Sequence, residues 1–316
     1  MIDIGAIFFE PVFKEKIWGG DSLRNFGYNL PSDKTGECWA FAAHHNGQSI
    51  VKNEEYKGKT LGDLWKNNRE LFGNIKGDKF PLLVKIIDAK EDLSVQVHPD
   101  DEYAFKNENG ESGKTECWYI IDCKENSQLI LGVNAQSRTE LEEMIDNSRW
   151  NELLRTIPIK KGDFVFVPSG TVHALKGGTL VLEIQQNSDI TYRLYDYDRR
   201  DSKGNLRELH IEKSKAAIEV PYVDKQFKPV VNKFKNIIET KLVKCDYFTV
   251  YKFDIKGKVR LKQDHPFMLF SIIDGEGNLT VNEKIYKIKK GDHFMLPKGV
   301  TSYILEGKIS LIVSYI

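Results

Sequence analysis

Two stretches of the chain, residues 80–186 and 241 to the end, are dense in β-branched and aromatic residues broken by turn signals, and they read as strands. Apolar and polar residues alternate in IKKGDFVFVPSG (159–170) and in KCDYFTVYKFDIKG (244–257), the period-two pattern of a half-buried strand. Helical spacing is rarer. Thr60 can cap LGDLWKNNRELF (61–72), whose Leu61, Leu64, Trp65, Leu71 and Phe72 share one face. Ser137 and Glu140 form a capping-box pattern ahead of an apolar stripe of Leu141, Met144 and Ile145, which predicts a helix over 137–154. LRELHIEKSKAAI (206–218) reads as a third helix. Residues 221–235 hold two prolines and little periodicity, and they read as a connector. The pattern predicts a mainly β protein with inserted helices.

The chain repeats itself. Residues 159–173 read IKKGDFVFVPSGTVH and residues 288–302 read IKKGDHFMLPKGVTS, identical at seven of fifteen positions. Gly162/Gly291, Asp163/Asp292, Pro168/Pro297 and Gly170/Gly299 are among the identities. Upstream, CWYIIDC (117–123) stands beside LFSIIDG (269–275), and downstream VLEIQQ stands beside SLIVSY. One β unit therefore occurs twice, and the first copy carries the helical insert.

Length and charge narrow the class. At 316 residues the chain is long enough for two domains, each with its own core. Lys+Arg and Asp+Glu number 46 each, so the net charge is zero. That argues against nucleic-acid or acidic-membrane partners, which draw on a positive excess to release counterions. No apolar run approaches the roughly 20 residues that span a bilayer, and the N-terminus lacks the basic start of a signal peptide. Cys38, Cys117, Cys123 and Cys245 show no disulfide-scaffold spacing. Cys117 and Cys123 share parity within one strand-like run, as buried thiols would. A reducing cytoplasm is the expected compartment.

The first copy of the repeat contains Gly162, Pro168, Gly170 and His173 at the spacing Gly-x5-Pro-x-Gly-x2-His. This resembles the second metal motif of the cupin superfamily, in which glycine and proline shape a turn that brings the strand's histidine into a small jelly-roll barrel. The resemblance implies two cupin (jelly-roll) barrels: a metal-binding N-terminal domain over 1–220, the connector over 221–235, and a degenerate barrel over 236–316. In the second copy the histidine position is Ser302 and the position matching Glu116 is Met268, so only the first barrel is expected to hold metal.

Strand periodicity also groups Ser94, Gln96 and His98 on one face of DLSVQVHPD, and Lys114, Glu116 and Trp118 on one face of GKTECWYI. With His173 they offer nitrogen and oxygen donors that suit zinc, with iron or manganese as alternatives. QVHPD, KTE, PSGTVHAL, SDITYRLYDYDR, IWGG and RELHIEKS together resemble the type I mannose-6-phosphate isomerase family, from Phe8 onward and most weakly after about residue 225. The resemblance implies one zinc per chain on Gln96, His98, Glu116 and His173, a catalytic Arg193, and a sugar-phosphate site at Lys85, Ser94 and Lys114. It also implies interconversion of mannose 6-phosphate and fructose 6-phosphate; a monomer or weak homo-oligomer is the expected form, acting on a small phosphosugar.

The chemistry asks for such residues. Aldose–ketose isomerisation moves a proton between the two carbons of an enediolate, whose oxygens need a Lewis acid or cation. Arg193 and Lys114 can supply positive charge there. Glu183 is a candidate proton carrier, in competition with Asp189, Lys114 and a metal-bound water, and it could equally orient a ligand. His44 and His45 fit either a cavity mouth or a loop, while His210, His265 and His293 read as surface or packing residues. The rival readings are a redox-metal cupin dioxygenase, a sugar-phosphate-binding module without catalysis, and an isomerase of another phosphosugar.

Overall fold

The computed structural model describes residues 5–53, 55–201 and 203–316. The protein is mainly β, and its strands are antiparallel throughout the sheets that build the site. A six-stranded sheet runs in the order Phe164–Val167, Glu116–Cys123, Thr179–Gln186, Leu82–Ala89, Val12–Gly20, Thr35–Phe41. A five-stranded sheet runs Leu154–Pro158, Gln128–Val133, His173–Leu175, Val95–Val97, Tyr192–Tyr195. Ile87, Ala89, Trp118, Ile120 and Val181 from the first pack against Leu129, Leu131 and Leu175 from the second. The two sheets therefore face each other, and the space between them is where the candidate ligands point.

The other face of the six-stranded sheet is just as apolar. Leu82, Val84, Ile86, Cys117, Tyr119, Leu182 and Ile184 pack with Phe267, Leu269, Met295 and Ile312 of the C-terminal half and with Leu61, Leu64 and Trp65 of a short helix. A strand buried on both faces reads as a continuous apolar run, as LLVKIIDA does. Its one cation, Lys85, is the exception that belongs to the site. Outside the five-stranded sheet, Leu141, Met144 and Ile145 cover Val95, Val97, Ala174 and Leu194.

Among the described residues the C-terminal half forms a nine-stranded sheet, in the order Val230–Lys233, Ile237–Lys244, Thr249–Lys262, Ser302–Tyr315, Phe267–Val281, His293–Pro297, Ile7–Glu10, Ile50–Val51, with Lys284–Lys289 beside Phe267–Val281. Its hydrogen-bonded order is open, as are those of the other two sheets, so none returns on itself as a closed barrel. Residues 7–10 lie against His293–Pro297 although nearly the whole chain separates them. Within 221–235, Val230–Lys233 is an exposed edge strand paired with Ile237–Lys244.

The repeat is a repeat of hydrogen bonds. The Lys160 amide donates to Asp163 Oδ2 at 2.9 Å, and the Lys289 amide donates to Asp292 Oδ2 at 2.8 Å. The Gly162 amide donates to the Ile120 carbonyl at 2.9 Å, and the Gly291 amide to that of Ile272 at 3.0 Å. Both glycines sit in the left-handed region, at φ 91° and 92°, which a side chain would strain. The aspartate closes the turn, the glycine makes its corner, and the same two letters recur for that reason.

The predicted helices are shorter than their patterns. Thr60 caps Leu61–Asn67 through a capping box with Asp63, and the chain tightens to a 3-10 turn over Arg69–Phe72. Ser137 caps Arg138–Asp146, a left-handed Ser148 (φ 52°) breaks the run, and Trp150–Leu153 resumes it. The third helix spans Ile211–Ala217 only, because residues 206–210 are held out of it by contacts described below. Asp101–Asn107 is a helix the pattern did not reveal; Asp100 caps it by accepting from the Tyr103 amide at 2.8 Å. Cys117 and Cys123 end on opposite faces, since a bulge at Ile121 shifts the register between Ile120↔Val181 and Asp122↔Leu180. Cys117 is buried and Cys123 only half-buried. No helix among the described residues is long and apolar enough to cross a membrane.

Candidate active site

Antiparallel register gathers the site. Glu183 lies opposite Lys85 on one side and Trp118 on the other, so these three side chains stand in a row across the six-stranded sheet. Gln96 lies opposite both His173 and Arg193 in the five-stranded sheet. Side chains from the two rows meet between the sheets. His98 Nε2 and His173 Nε2 each lie 3.5 Å from a different oxygen of Glu116, and Gln96 Nε2 lies 3.2 Å from His173 Nε2. Among the described residues His98, Glu116 and His173 are the one His/Cys/Asp/Glu group whose donor atoms could hold a metal ion, all within 4.8 Å.

Both imidazoles are pre-set for that task. His98 Nδ1 is 2.7 Å from the Ile190 carbonyl and His173 Nδ1 is 2.9 Å from the Thr171 carbonyl. A carbonyl only accepts, so Nδ1 carries the proton and Nε2 keeps its lone pair toward Glu116. Burial, with Lys114 adding to it, lowers the His98 pKa to about 3, and burial lowers that of His173 as well. The rings are therefore neutral, the form in which an imidazole can bind a metal ion. Burial pushes the Glu116 carboxyl up, but Lys114, His98 and His173 outweigh it and hold the group well below its usual 4.5. Lys114 Nζ is 2.6 Å from Glu116 Oε2, yet neither carboxylate oxygen meets a donor in hydrogen-bonding geometry. Lys114 offsets part of the cost of burying this carboxylate, and a divalent cation fits the oxygens left without a directed donor and this donor set. A half-turn of the Gln96 amide presents its oxygen in place of Nε2.

A cavity of about 310 Å³ opens above this cluster, and Lys85, Ser94, Gln96, Lys114, Glu183 and Arg193 all line it. Every substrate-side residue predicted from sequence thus reaches one space. Glu183 Oε2 accepts from Trp118 Nε1 at 2.9 Å, while its Oε1 faces Lys85 Nζ at 3.4 Å and Lys114 Nζ at 3.9 Å. Burial, then the charge of Glu116, raises its pKa. Lys85 is nearly fully buried. Burial works against its charge, but Glu183, Glu37 and Asp189 more than compensate and raise its pKa.

Arg193 is held rather than exposed. Its Nη1 donates to the Glu208 carbonyl at 2.7 Å, its amide donates to His210 Nδ1 at 3.1 Å, and the His210 amide returns to the Arg193 carbonyl at 2.8 Å. These bonds, with Arg207 Nε donating to Asp196 at 2.7 Å, keep residues 206–210 out of the helix that follows. His210 is therefore part of the site's frame, and Arg207, Lys16 and Glu37 line the cavity without having been singled out from sequence. RELHIEKS was the signal available for Arg207 and His210. His44 is buried against His45, with ring centroids 4.1 Å apart, in a hairpin whose Asn46 donates to Asp189 at 3.0 Å. His265 stacks on Tyr315 and His293 is buried beside Tyr28 and Ser271, so both are packing residues. A larger cavity of about 790 Å³, bordered by Asp101, Gln186 and Tyr247, gathers no comparable set of donors.

Known proteins match this chain end to end. The model of the phosphomannose isomerase type I catalytic domain matches residues 7–121, and that of the mannose-6-phosphate isomerase cupin domain matches residues 238–316. The mannose-6-phosphate isomerase ManA of Bacillus subtilis is 56% identical over 310 residues, covering 98% of each chain. The mannose-6-phosphate isomerase of Streptococcus mutans is 47% identical over 312 residues at the same coverage. The crystal structure of the Bacillus subtilis mannose 6-phosphate isomerase superposes with a TM-score of 0.97 at 55% identity, over 99% of this chain and 100% of that one. A zinc-bound mannose 6-phosphate isomerase shares the fold at a TM-score of 0.79 and 15% identity, over 99% of both chains. With the site's geometry, these matches identify the chain as a member of the type I mannose-6-phosphate isomerase family of enzymes.

Proposed function

We propose that this protein interconverts mannose 6-phosphate and fructose 6-phosphate through an enediolate, with one zinc ion per chain held by Gln96, His98, Glu116 and His173. The observation that carries this reading is the buried Glu116, ion-paired with Lys114 but without a directed hydrogen bond, between two imidazoles whose Nδ1 atoms are tied to carbonyls, beneath a cavity lined with cations. Bound zinc supplies Lewis acidity toward the sugar oxygens. The chain's residues do the rest. Arg193, fixed from both backbone atoms, points a guanidinium at the negative charge that develops on the substrate. Lys85, Lys114 and Ser94 take the phosphate and hydroxyl oxygens. Glu183, whose raised pKa suits a group that both accepts and returns a proton, removes the proton from the carbon beside the aldehyde and delivers it to the former aldehyde carbon. Trp118 fixes one of its oxygens and leaves the other toward the cavity.

In this reading residues 1–220 carry the chemistry, 221–235 connect, and 236–316 are a second cupin unit with Met268 and Ser302 where ligands would stand. All four cysteines are free thiols, which fits a cytoplasmic enzyme. It works as a monomer or weak homo-oligomer on a small phosphosugar, without nucleic-acid or membrane partners.

The test is a coupled assay for fructose 6-phosphate formed from mannose 6-phosphate, on chelator-stripped protein with and without added zinc. Activity should return with zinc and be absent in Glu116→Gln. Arg193→Ala should lower turnover by about 100-fold at unchanged zinc content, in line with the loss of one oxyanion-stabilising group. Stoichiometric metal without turnover of mannose 6-phosphate would reject the substrate and leave another phosphosugar to be tried.

A further inference from the structure

Glu116 begins a strand, Lys114 stands two residues before it, and the backbone leading into the strand is pinned at successive residues. The Gly113 amide donates to Asp101 Oδ1 at 2.8 Å, the Lys114 amide to the Pro99 carbonyl at 3.1 Å, and the Thr115 amide to Gln186 Oε1 at 2.8 Å. The Gln186 amide returns to the Thr115 carbonyl at 3.1 Å, and Thr115 Oγ1 accepts from the Ser169 amide at 3.2 Å. Approach is close enough that a Cβ on Gly113 would stand 2.5 Å from the Asp100 carbonyl carbon and 2.6 Å from the Asp101 nitrogen. Asp101 joins these bonds into one unit, because its Oδ1 also accepts from Gln186 Nε2 at 3.0 Å. Its other oxygen takes a hydrogen bond from the Tyr247 hydroxyl at 2.8 Å. Tyr247 sits in the turn between Ile237–Lys244 and Thr249–Lys262, in the half of the chain that holds no candidate ligand.

We propose that Asp101 and Tyr247 are positioning residues through which the ligand-free C-terminal half sets the placement of Lys114 and Glu116. The carboxylate of Asp101 is the keystone: it accepts from the loop before Lys114, from the strand that carries Glu183, and from the C-terminal turn. Charge-assisted hydrogen bonds of this kind are roughly twice as strong as neutral ones. Lys114 reaches Glu116, His98 and Glu183 within 2.6–3.9 Å, so a small displacement of its backbone misaligns several contacts at once. Misplacement by about 1 Å far from the chemistry can cost ~100-fold in rate. This inference rests on the proposed isomerase function only for its kinetic readout.

The experiment compares the full-length zinc-loaded protein with Tyr247→Phe, Asp101→Asn and the double variant. It measures kcat and KM for mannose 6-phosphate, zinc content, thermal midpoint, and amide hydrogen exchange over residues 113–116. Tyr247→Phe removes one hydroxyl and should lower kcat by about tenfold, with KM changed less than threefold, full zinc, and faster exchange at Gly113 and Thr115. Asp101→Asn should lower kcat by ~100-fold, and adding Tyr247→Phe should cost nothing further, since both act through one carboxylate. Wild-type exchange and kcat in Tyr247→Phe would overturn the proposal, as would strictly multiplicative losses in the double variant. A wild-type protein that does not turn over mannose 6-phosphate would sink the functional reading instead, and the exchange rates would still decide the coupling.

Discussion

At the scale of single residues, the structure separates two kinds of buried histidine that look alike in sequence. His98 and His173 spend one nitrogen on a carbonyl and aim the other at a carboxylate, whereas His293 spends one on Ser271 at 3.0 Å and the other on Tyr28 at 2.7 Å. Nothing is left over on His293 to bind a ligand. Burial, with Lys52 adding to it, holds its pKa at about 3, below the 6.5 of the unfolded chain. Between those values the unfolded state keeps a proton that the folded state excludes, so its contribution to stability is complete above pH 6.5 and is lost as the pH falls. His293→Gln should therefore reduce the stability lost between pH 7 and pH 5 by roughly 2 kcal/mol, as read from denaturant midpoints at the two pH values. An unchanged loss would mean that this imidazole does not set the acid limit. Strand spacing was enough to group Gln96 with His98 and Lys114 with Glu116, and the cupin resemblance was needed to bring in His173. Spacing was not enough for Arg207 or His210, because their place depends on bonds to Asp196 and Arg193 that override the helical pattern of residues 206–218.

At the scale of elements, the duplicated turn shows how one local motif serves two surroundings. Gly162 and Gly291 share a left-handed backbone, so each substitution to alanine carries about 1–2 kcal/mol of strain. Their neighbours differ. A Cβ on Gly162 would meet nothing nearer than the Tyr119 hydroxyl at 3.9 Å, while one on Gly291 would stand 2.3 Å from the Phe26 carbonyl oxygen. Gly291→Ala should therefore lower the thermal midpoint well beyond Gly162→Ala, and equal shifts would mean that the contact with Phe26 relaxes freely. Aspartate, glycine and proline carry their turn chemistry wherever they occur, and that made the repeat legible. The bulge at Ile121 and the break at Ser148 were not legible: the first answers register against Thr179–Gln186, and the second is a left-handed backbone at a serine, a residue that does not announce it.

At the scale of the whole molecule, the six-stranded sheet is a shared wall. One face bears the site, and the other is covered by Phe267, Leu269, Met295 and Ile312. A chain ending at residue 236 would expose that apolar face and strip Ile7–Glu10 of His293–Pro297, leaving it paired only with the two-residue strand Ile50–Val51. Such a truncation should lack a cooperative melt and aggregate, as judged by calorimetry and light scattering; a soluble, cooperatively melting fragment would show that the N-terminal part carries its own core. Fold class was readable from alternation and from the repeat, but the crossing of residues 7–10 into the distant sheet was not, because pairing across nearly 300 residues leaves no local trace. That crossing also sets an order of events during synthesis. At roughly 5–20 residues per second, the segment Ile7–Glu10 emerges tens of seconds before His293–Pro297 exists to receive it. Within that interval Val51 and Phe41 meet Phe9, while the edge that pairs with His293–Pro297 stays open. Ile7–Glu10 is thus made early and completed late, an open sheet edge until the far end of the chain arrives.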